Sequence, residues 1–279
     1  MIKHILVASD LSSRSDRAVE RAVQVARQHE SQGGVKITVM HVIDDDLPQK
    51  LVTQMRQAAQ DSLRAVLTSE NAPEGAEIKV ESGDPVSTLA ARVEALDADL
   101  VILGVHRARP FWDMFAGTTM ERLVRAVKRP VLLVRDPVAG PYRSILCGID
   151  LSPACLAAGG AAMALAPEAK ISTFHAVHIP YRGMIARDAS EKQFAPFVRD
   201  ARAQLDQWWD RAEVPEGLPK PEIRTASVQE AFTAELQSTE ADLFALGAHG
   251  RMLLSPSLLG GFTEAQIRDP RCDLLIVRG

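Results

Sequence analysis

Long runs of a single character are missing from this chain. No apolar stretch approaches the roughly 20 residues that span a bilayer, and no long basic tract offsets the formal net charge of -4. The first absence excludes a transmembrane helix, and the second removes the electrostatic footprint of a nucleic-acid or anionic-membrane binder. Cysteine is scarce. Cys147, Cys155 and Cys272 form an odd set without metal-site spacing, each in or beside an apolar segment, and read as reduced packing residues. No lysine completes a phosphate-binding loop of the Walker type, and no nucleophile, base and orienting group can be named together. Met1 to Asp10 runs straight into a strand-like segment rather than a signal sequence, so a cytoplasmic location is expected. Small ligands and protein partners remain.

What is present is an ordinary globular composition, 46% hydrophobic and 24% charged, over 279 residues, a length that leans towards two domains. An internal repeat makes that division concrete. Ile5-Leu6-Val7-Ala8-Ser9-Asp10-Leu11-Ser12 matches Ile145-Leu146-Cys147-Gly148-Ile149-Asp150-Leu151-Ser152 at an offset of 140, with five of the eight positions identical. Ile37 to His41 matches Ile171 to His175, and Ala98 to Gly104 matches Ala241 to Gly247. Val131 to Arg135 and Leu274 to Arg278 close the two copies at an offset of 143. The linker is expected near Asp136 to Tyr142, where Pro137, Gly140 and Pro141 break regular structure. The expected domains are therefore 1–138 and 139–279.

Within each copy, short runs of Val, Ile and Leu read as strands buried on both faces, the habit of parallel sheets. Helices fill the gaps. Ala18, Val19, Ala22, Val23 and Ala26 place an apolar stripe on one helix, with Arg17, Glu20, Arg21, Gln24 and Arg27 mostly on the other side. Ser152-Pro153 and Asp84-Pro85 combine a capping side chain with proline at the first helical position. Alternating strands and helices imply right-handed crossovers, so each copy is expected to be a doubly wound, five-stranded parallel α/β sheet of Rossmann-like type.

Ligands of such sheets bind beyond the carboxyl ends of the strands, where strand order reverses. Asp10 and Asp150 lie at such ends, and their position alone favours capping of the following helix. The loop after the fourth strand is the sharpest signal. In the second copy Gly247, two residues, Gly250, nine residues and Gly260-Gly261 precede a helical stretch; the first copy has Gly104, Arg107 and Gly117-Thr118-Thr119 at the same spacing. Without a Cβ the backbone can approach a phosphate, and free amides at a helix N-terminus point at an anion.

In these motifs the chain resembles the universal stress protein family, specifically its tandem two-domain members, over nearly its whole length. The nucleotide-binding branch of that family, with its adenine nucleotide alpha hydrolase-like fold, carries Gly, two residues, Gly, nine residues, then Gly and Ser or Thr. The resemblance implies that Asp10 and the backbone of Val42 contact ribose and adenine, while Gly104, Gly117, Thr118 and Thr119 hold phosphates. The second-copy equivalents are Asp150, the backbone of Ala176, Gly247, Gly250, Gly260 and Gly261. Two departures stand out: Arg107 replaces the second glycine of the first copy, where it either obstructs the loop or joins the nucleotide-binding residues by pairing its guanidinium with a phosphate, and Gly261 stands where a hydroxyl is expected.

The function implied is a stress-response regulator that binds ATP or another adenine nucleotide and signals its occupancy to a protein partner through the glycine loops. A nucleotide-free interaction scaffold and a weak ATPase are the alternatives. No catalytic residue and no metal ligand set is assigned. Asp44, Asp45 and Asp46 suit either a phosphate-bridged Mg2+ or, with better precedent, helix capping. His41 and His175 recur at strand ends and read as structural, without metal-ligand company from His178; His106 and His249 recur inside the glycine loops. Trp208 and Trp209 share a helical face with Leu205 and Ala212, while Phe111 and Trp112 are expected to cover the first glycine loop. Family members usually pair through their last strands, which here implies an intramolecular pseudo-dimer and leaves a homodimer of whole chains open.

Overall fold

The computed structural model describes residues 1–105, 119–178, 195–248 and 259–278. Ten strands form one continuous sheet in the order β3-β2-β1-β4-β5-β10-β9-β6-β7-β8. In the first half, β1 (His4–Ala8), β2 (Lys36–Ile43), β3 (Glu77–Ser82), β4 (Leu100–Gly104) and β5 (Val131–Val134) are parallel. The second half repeats this with β6 (Ser144–Gly148), β7 (Lys170–Ala176), β8 (Glu222–Arg224), β9 (Leu243–Gly247) and β10 (Asp273–Val277). The five-stranded sheets expected from the repeat are both present, and they merge edge to edge.

Eight described helices cover the two faces: α1 (Ser13–Gln28), α2 (Gln49–Ser69), α3 (Pro85–Ala95), α4 (Thr119–Ala126), α5 (Pro153–Leu165), α6 (Ala195–Trp209), α7 (Val228–Thr239) and α8 (Gly261–Arg268). Because successive strand residues point to opposite faces, Ile5 and Val7 join the core beneath α1 and α2, while Leu6 joins the opposite core with Val93 and Leu123. Both faces are dry, which is why the strands read as unbroken apolar runs rather than alternating ones. Trp208, Trp209 and Ala212 pack against the core that contains Leu205, the packed face expected from their spacing.

The join is a pseudo-twofold contact. Strands β5 and β10 pair antiparallel with Leu133 opposite Leu274, Leu132 opposite Leu275 and Val131 opposite Ile276. At the repeat offset of 143, Leu275 is the counterpart of Leu132, so each half presents the same patch to the other, the signature of an isologous interface. Ion pairs follow the same symmetry: Arg268 Nε lies 2.6 Å from Glu121 Oε1, and Arg125 Nη2 lies 2.7 Å from Glu264 Oε1.

One expectation for α1 fails. Arg21, placed on the solvent side by the helical pattern, is only 5% exposed. The linker and the second half cover that face. The Arg21 guanidinium stacks 3.9 Å from the Tyr142 ring centroid, donates to Gly140 O at 2.7 Å and pairs at 3.5 Å with Asp273 at the start of β10. Tyr142 Oη donates to the same carboxylate at 2.6 Å, and Arg135 N donates to its other oxygen at 2.8 Å. Burial pushes the Asp273 carboxyl above its usual range despite these donors.

Candidate functional site

Strand order reverses beside β1 in the first half and β6 in the second, which opens a crevice above β1 and β4 and another above β6 and β9. The chain leaves β1 through Leu11 at φ 62 and leaves β6 through Leu151 at φ 61. A leucine pays a steric cost for the left-handed region, yet both copies adopt it. The bend turns the following amide back: Asp10 Oδ1 accepts from Ser12 N at 3.0 Å and from Ser12 Oγ at 2.6 Å, and Asp150 repeats both contacts with Ser152 at the same distances.

Position had favoured Asp10 and Asp150 as helix caps, and the structure corrects this. Ser12 and Ser152 are the N-caps, accepting from Ser15 N and Cys155 N. Each aspartate instead grips the capping serine, leaving its carboxylate at the crevice rather than on the helix amides. Asp84 does cap α3, with Pro85 in the first turn, as its sequence indicates.

Gly104 and Gly247 end β4 and β9. A Cβ at Gly104 would stand 2.2 Å from Arg14 O, and one at Gly247 would stand 2.9 Å from both Ala154 Cβ and Cys155 N. These two glycines are therefore required by the close approach of α1 and α5 to the strand ends, whatever the crevices hold. Gly260 and Gly261 differ. Gly260 is the N-cap of α8 without a side-chain cap, and a Cβ on Gly261 would meet nothing within 4 Å. Val42 is the penultimate residue of β2, and Ala176 closes β7.

A cavity of about 380 Å³ occupies the second crevice, lined by Asp150, His175, Ala176, Gly247, Gly260 and Gly261 among others. Its floor is aromatic. Phe174 and Phe244 stack with centroids 6.4 Å apart, and Phe262 packs edge-on against Phe244 at 6.1 Å. These phenylalanines, together with Val228 at the rim and Thr263, whose Oγ1 donates to Gly247 O at 3.5 Å, were not singled out from the sequence. They lie among ordinary apolar residues, and only the sheet brings them to one crevice. A larger open groove of about 1020 Å³, lined by Lys3, Arg27, Gly33 and Lys36, lies at the opposite, amino end of β1 and β2. Parallel-sheet chemistry does not collect there.

The first turns of α1 and α5 differ in charge. Burial, and then the nearby Asp10 carboxylate, push the Asp16 carboxyl in the first turn of α1 above its usual range. Leu156 takes the equivalent position in the second half and is buried in the core. His41 Nδ1 donates to Ser9 O at 2.8 Å and His175 Nδ1 to Ile149 O at 2.7 Å, the structural role expected of both.

Asp44, Asp45 and Asp46 lie with carboxylate oxygens within 4.8 Å of one another, all exposed. They do not cap α2, whose N-cap is Pro48; Asp44 Oδ1 accepts from Asp46 N within a turn. Arg107, Gly117, Thr118 and Gly250 lie outside the described residues, as do His106, His249, Phe111 and Trp112, and only the backbone of Thr119, the first residue of α4, is described. Among the described residues, no helix is long and apolar enough to cross a membrane.

The profile of the universal stress protein family matches twice, over residues 1–135 and 141–278. The Universal stress protein A homolog of Pasteurella multocida is 32% identical over 146 residues, covering 49% of this chain and 99% of the relative. Universal stress protein A of Escherichia coli K12 is 30% identical over 141 residues, 47% of this chain and 93% of the relative. Each relative is thus about as long as one copy of the repeat. A universal stress protein structure from Archaeoglobus fulgidus shares the whole fold, with a TM-score of 0.68 over 99% of this chain and 98% of its own, at 17% identity. Two successive matches, each spanning a complete five-stranded half, mean that this chain belongs to the universal stress protein family as a tandem, two-copy member.

Proposed function

We propose that the second half binds an adenine nucleotide and that its occupancy is read by a protein partner. The observation that carries this reading is the second cavity, where open space above Gly261 adjoins the uncapped N-terminus of α8. Amides of a first helical turn lack intrahelical partners, and the helix dipole favours an anion there. Asp150 stands across the cavity as an acceptor suited to ribose hydroxyls, and the phenylalanine floor offers an apolar face to a base. A volume of about 380 Å³ lies within the range of small-molecule sites, roughly 300–1,000 Å³. The residues present therefore fit the nucleotide that the family resemblance implies.

The nucleotide is assigned to the second half because its cavity and its helix N-terminus are both among the described residues, and because the first turn of α5 carries Leu156 where that of α1 carries the acidic Asp16. Mg2+ has no support beyond the exposed Asp44–Asp46 turn and is not part of the proposal.

Mass spectrometry of small molecules released from gently purified chain, followed by calorimetry with ATP, AMP and adenosine, tests the reading. Co-purified or titratable adenine nucleotide that Gly261→Asp removes is the expected result. A specific observation favours a second reading, that of a nucleotide-free scaffold: Gly104 and Gly247 are explained by helix packing alone. Absence of binding by all three compounds would leave that reading standing.

A further inference from the structure

The two helices that begin at the candidate anion crevices, α4 and α8, meet each other across the pseudo-twofold axis. Each carries a glutamate in its first turn, Glu121 in α4 and Glu264 in α8. Glu264 lies about one helical turn from Gly260 and Gly261, which line the cavity, with its carboxylate turned to the join rather than into that lining. A carboxylate there already satisfies the positive end of the helix dipole and repels an incoming phosphate. Its neutralising partner does not come from its own half. Arg125, in the last turn of α4, reaches across the join to Glu264 at 2.7 Å, and the first half's Glu121 is matched by Arg268 of α8 at 2.6 Å.

We propose that Arg125 is a positioning residue for the second crevice: by neutralising Glu264 from the opposite half, it permits phosphate to bind at the N-terminus of α8. The inference rests on the nucleotide reading above. Arg125 is held for this task by more than the pair itself. Arg278, beyond the end of β10, donates through Nη1 to Arg125 O, so the last turn of α4 is tied to the second half. By symmetry, Arg268 pairs with Glu121 in the first turn of α4 as Arg125 pairs with Glu264 in the first turn of α8.

The test is calorimetry with ATP, AMP and adenosine on the full chain, following the binding that Gly261→Asp abolishes. An uncompensated unit charge about 10 Å from a phosphate, at an effective dielectric of about 20–80, weakens binding by about two- to twenty-fold. Arg125→Gln should show that loss for ATP, a smaller one for AMP and none for adenosine. Arg125→Gln combined with Glu264→Gln should restore ATP affinity, because the offending charge is gone. Equal losses for adenosine and ATP would mark Arg125 as merely structural, and failure of the double variant to recover would show that it does not act through Glu264; either result overturns the inference. Binding of ATP that Arg125→Gln leaves unchanged overturns it while sparing the nucleotide reading. No binding of any compound to the unaltered chain removes both.

Discussion

Replacing Tyr142 by Phe removes one oxygen atom from the join between the halves and leaves the ring that supports Arg21. The lost hydroxyl donates at 2.6 Å to a carboxylate whose side chain is 3% exposed. What then remains on Asp273 Oδ2 is the Arg21 guanidinium at 3.5 Å, a long contact that cannot take over the hydroxyl's place without moving α1. A hydrogen bond to a charged group contributes about 1.5–3 kcal/mol, so Tyr142→Phe should cost about 2 kcal/mol at neutral pH. Urea unfolding followed by circular dichroism measures it. Because the cluster ties α1 of the first half to β10 of the second, any separate transitions of the two halves must both move. The cost should also narrow in acid. Burial already lifts the Asp273 carboxyl above the usual range, and removing a donor lifts it further, so protonation on lowering the pH relieves the variant more than the parent. A loss below about 0.5 kcal/mol, or a shift confined to one half, would refute the idea that this buried cluster couples them.

The glycines give a paired prediction: Gly104→Ala drives a methyl to within 2.2 Å of Arg14 O and should cost about 3 kcal/mol in urea unfolding. Gly261→Ala, with open space around its Cβ, should leave stability unchanged or raised by about 0.5 kcal/mol while weakening nucleotide binding in calorimetry. Burial pushes the thiols of Cys147, Cys155 and Cys272 up to about 12. A folded-state pKa above the unfolded one means stability is intact below the unfolded thiol pKa and falls as pH rises from about 9 towards 12. The unfolding free energy from urea titrations should fall across that window, by up to about 1.4 kcal/mol per pH unit for each thiol. Native protein at pH 8 should also resist thiol-reactive dyes until it is unfolded; rapid labelling would contradict the burial of all three.

Local chemistry was legible wherever a residue's partner lies close in sequence. Ser152-Pro153 and Asp84-Pro85 announce the starts of α5 and α3 because a cap and its amide are three residues apart. His41 and His175 read as structural because no ligands at metal spacing accompany them, and each ring bonds to a backbone carbonyl at a strand end. In the first half position favours Asp10 as the cap, but Ser12 performs that task, because the left-handed turn at Leu11 cannot be read from a leucine; in the second half Ser152-Pro153 marks the cap that the position of Asp150 also suggests. The helical pattern assigns Arg21 to solvent because it lies opposite the apolar stripe of α1. The linker and β10, more than one hundred residues away, bury it.

The sequence alone determined the duplication, the doubly covered parallel strands and the glycines at the crevice mouths, since each follows from spacing and side-chain size along a short stretch of chain. The tertiary structure alone decided which polar groups went dry and which charges were matched. Asp273, Glu121 and Arg125 acquire their partners only when the two halves share a sheet edge, because that contact excludes water and brings together charges separated by half the length of the chain.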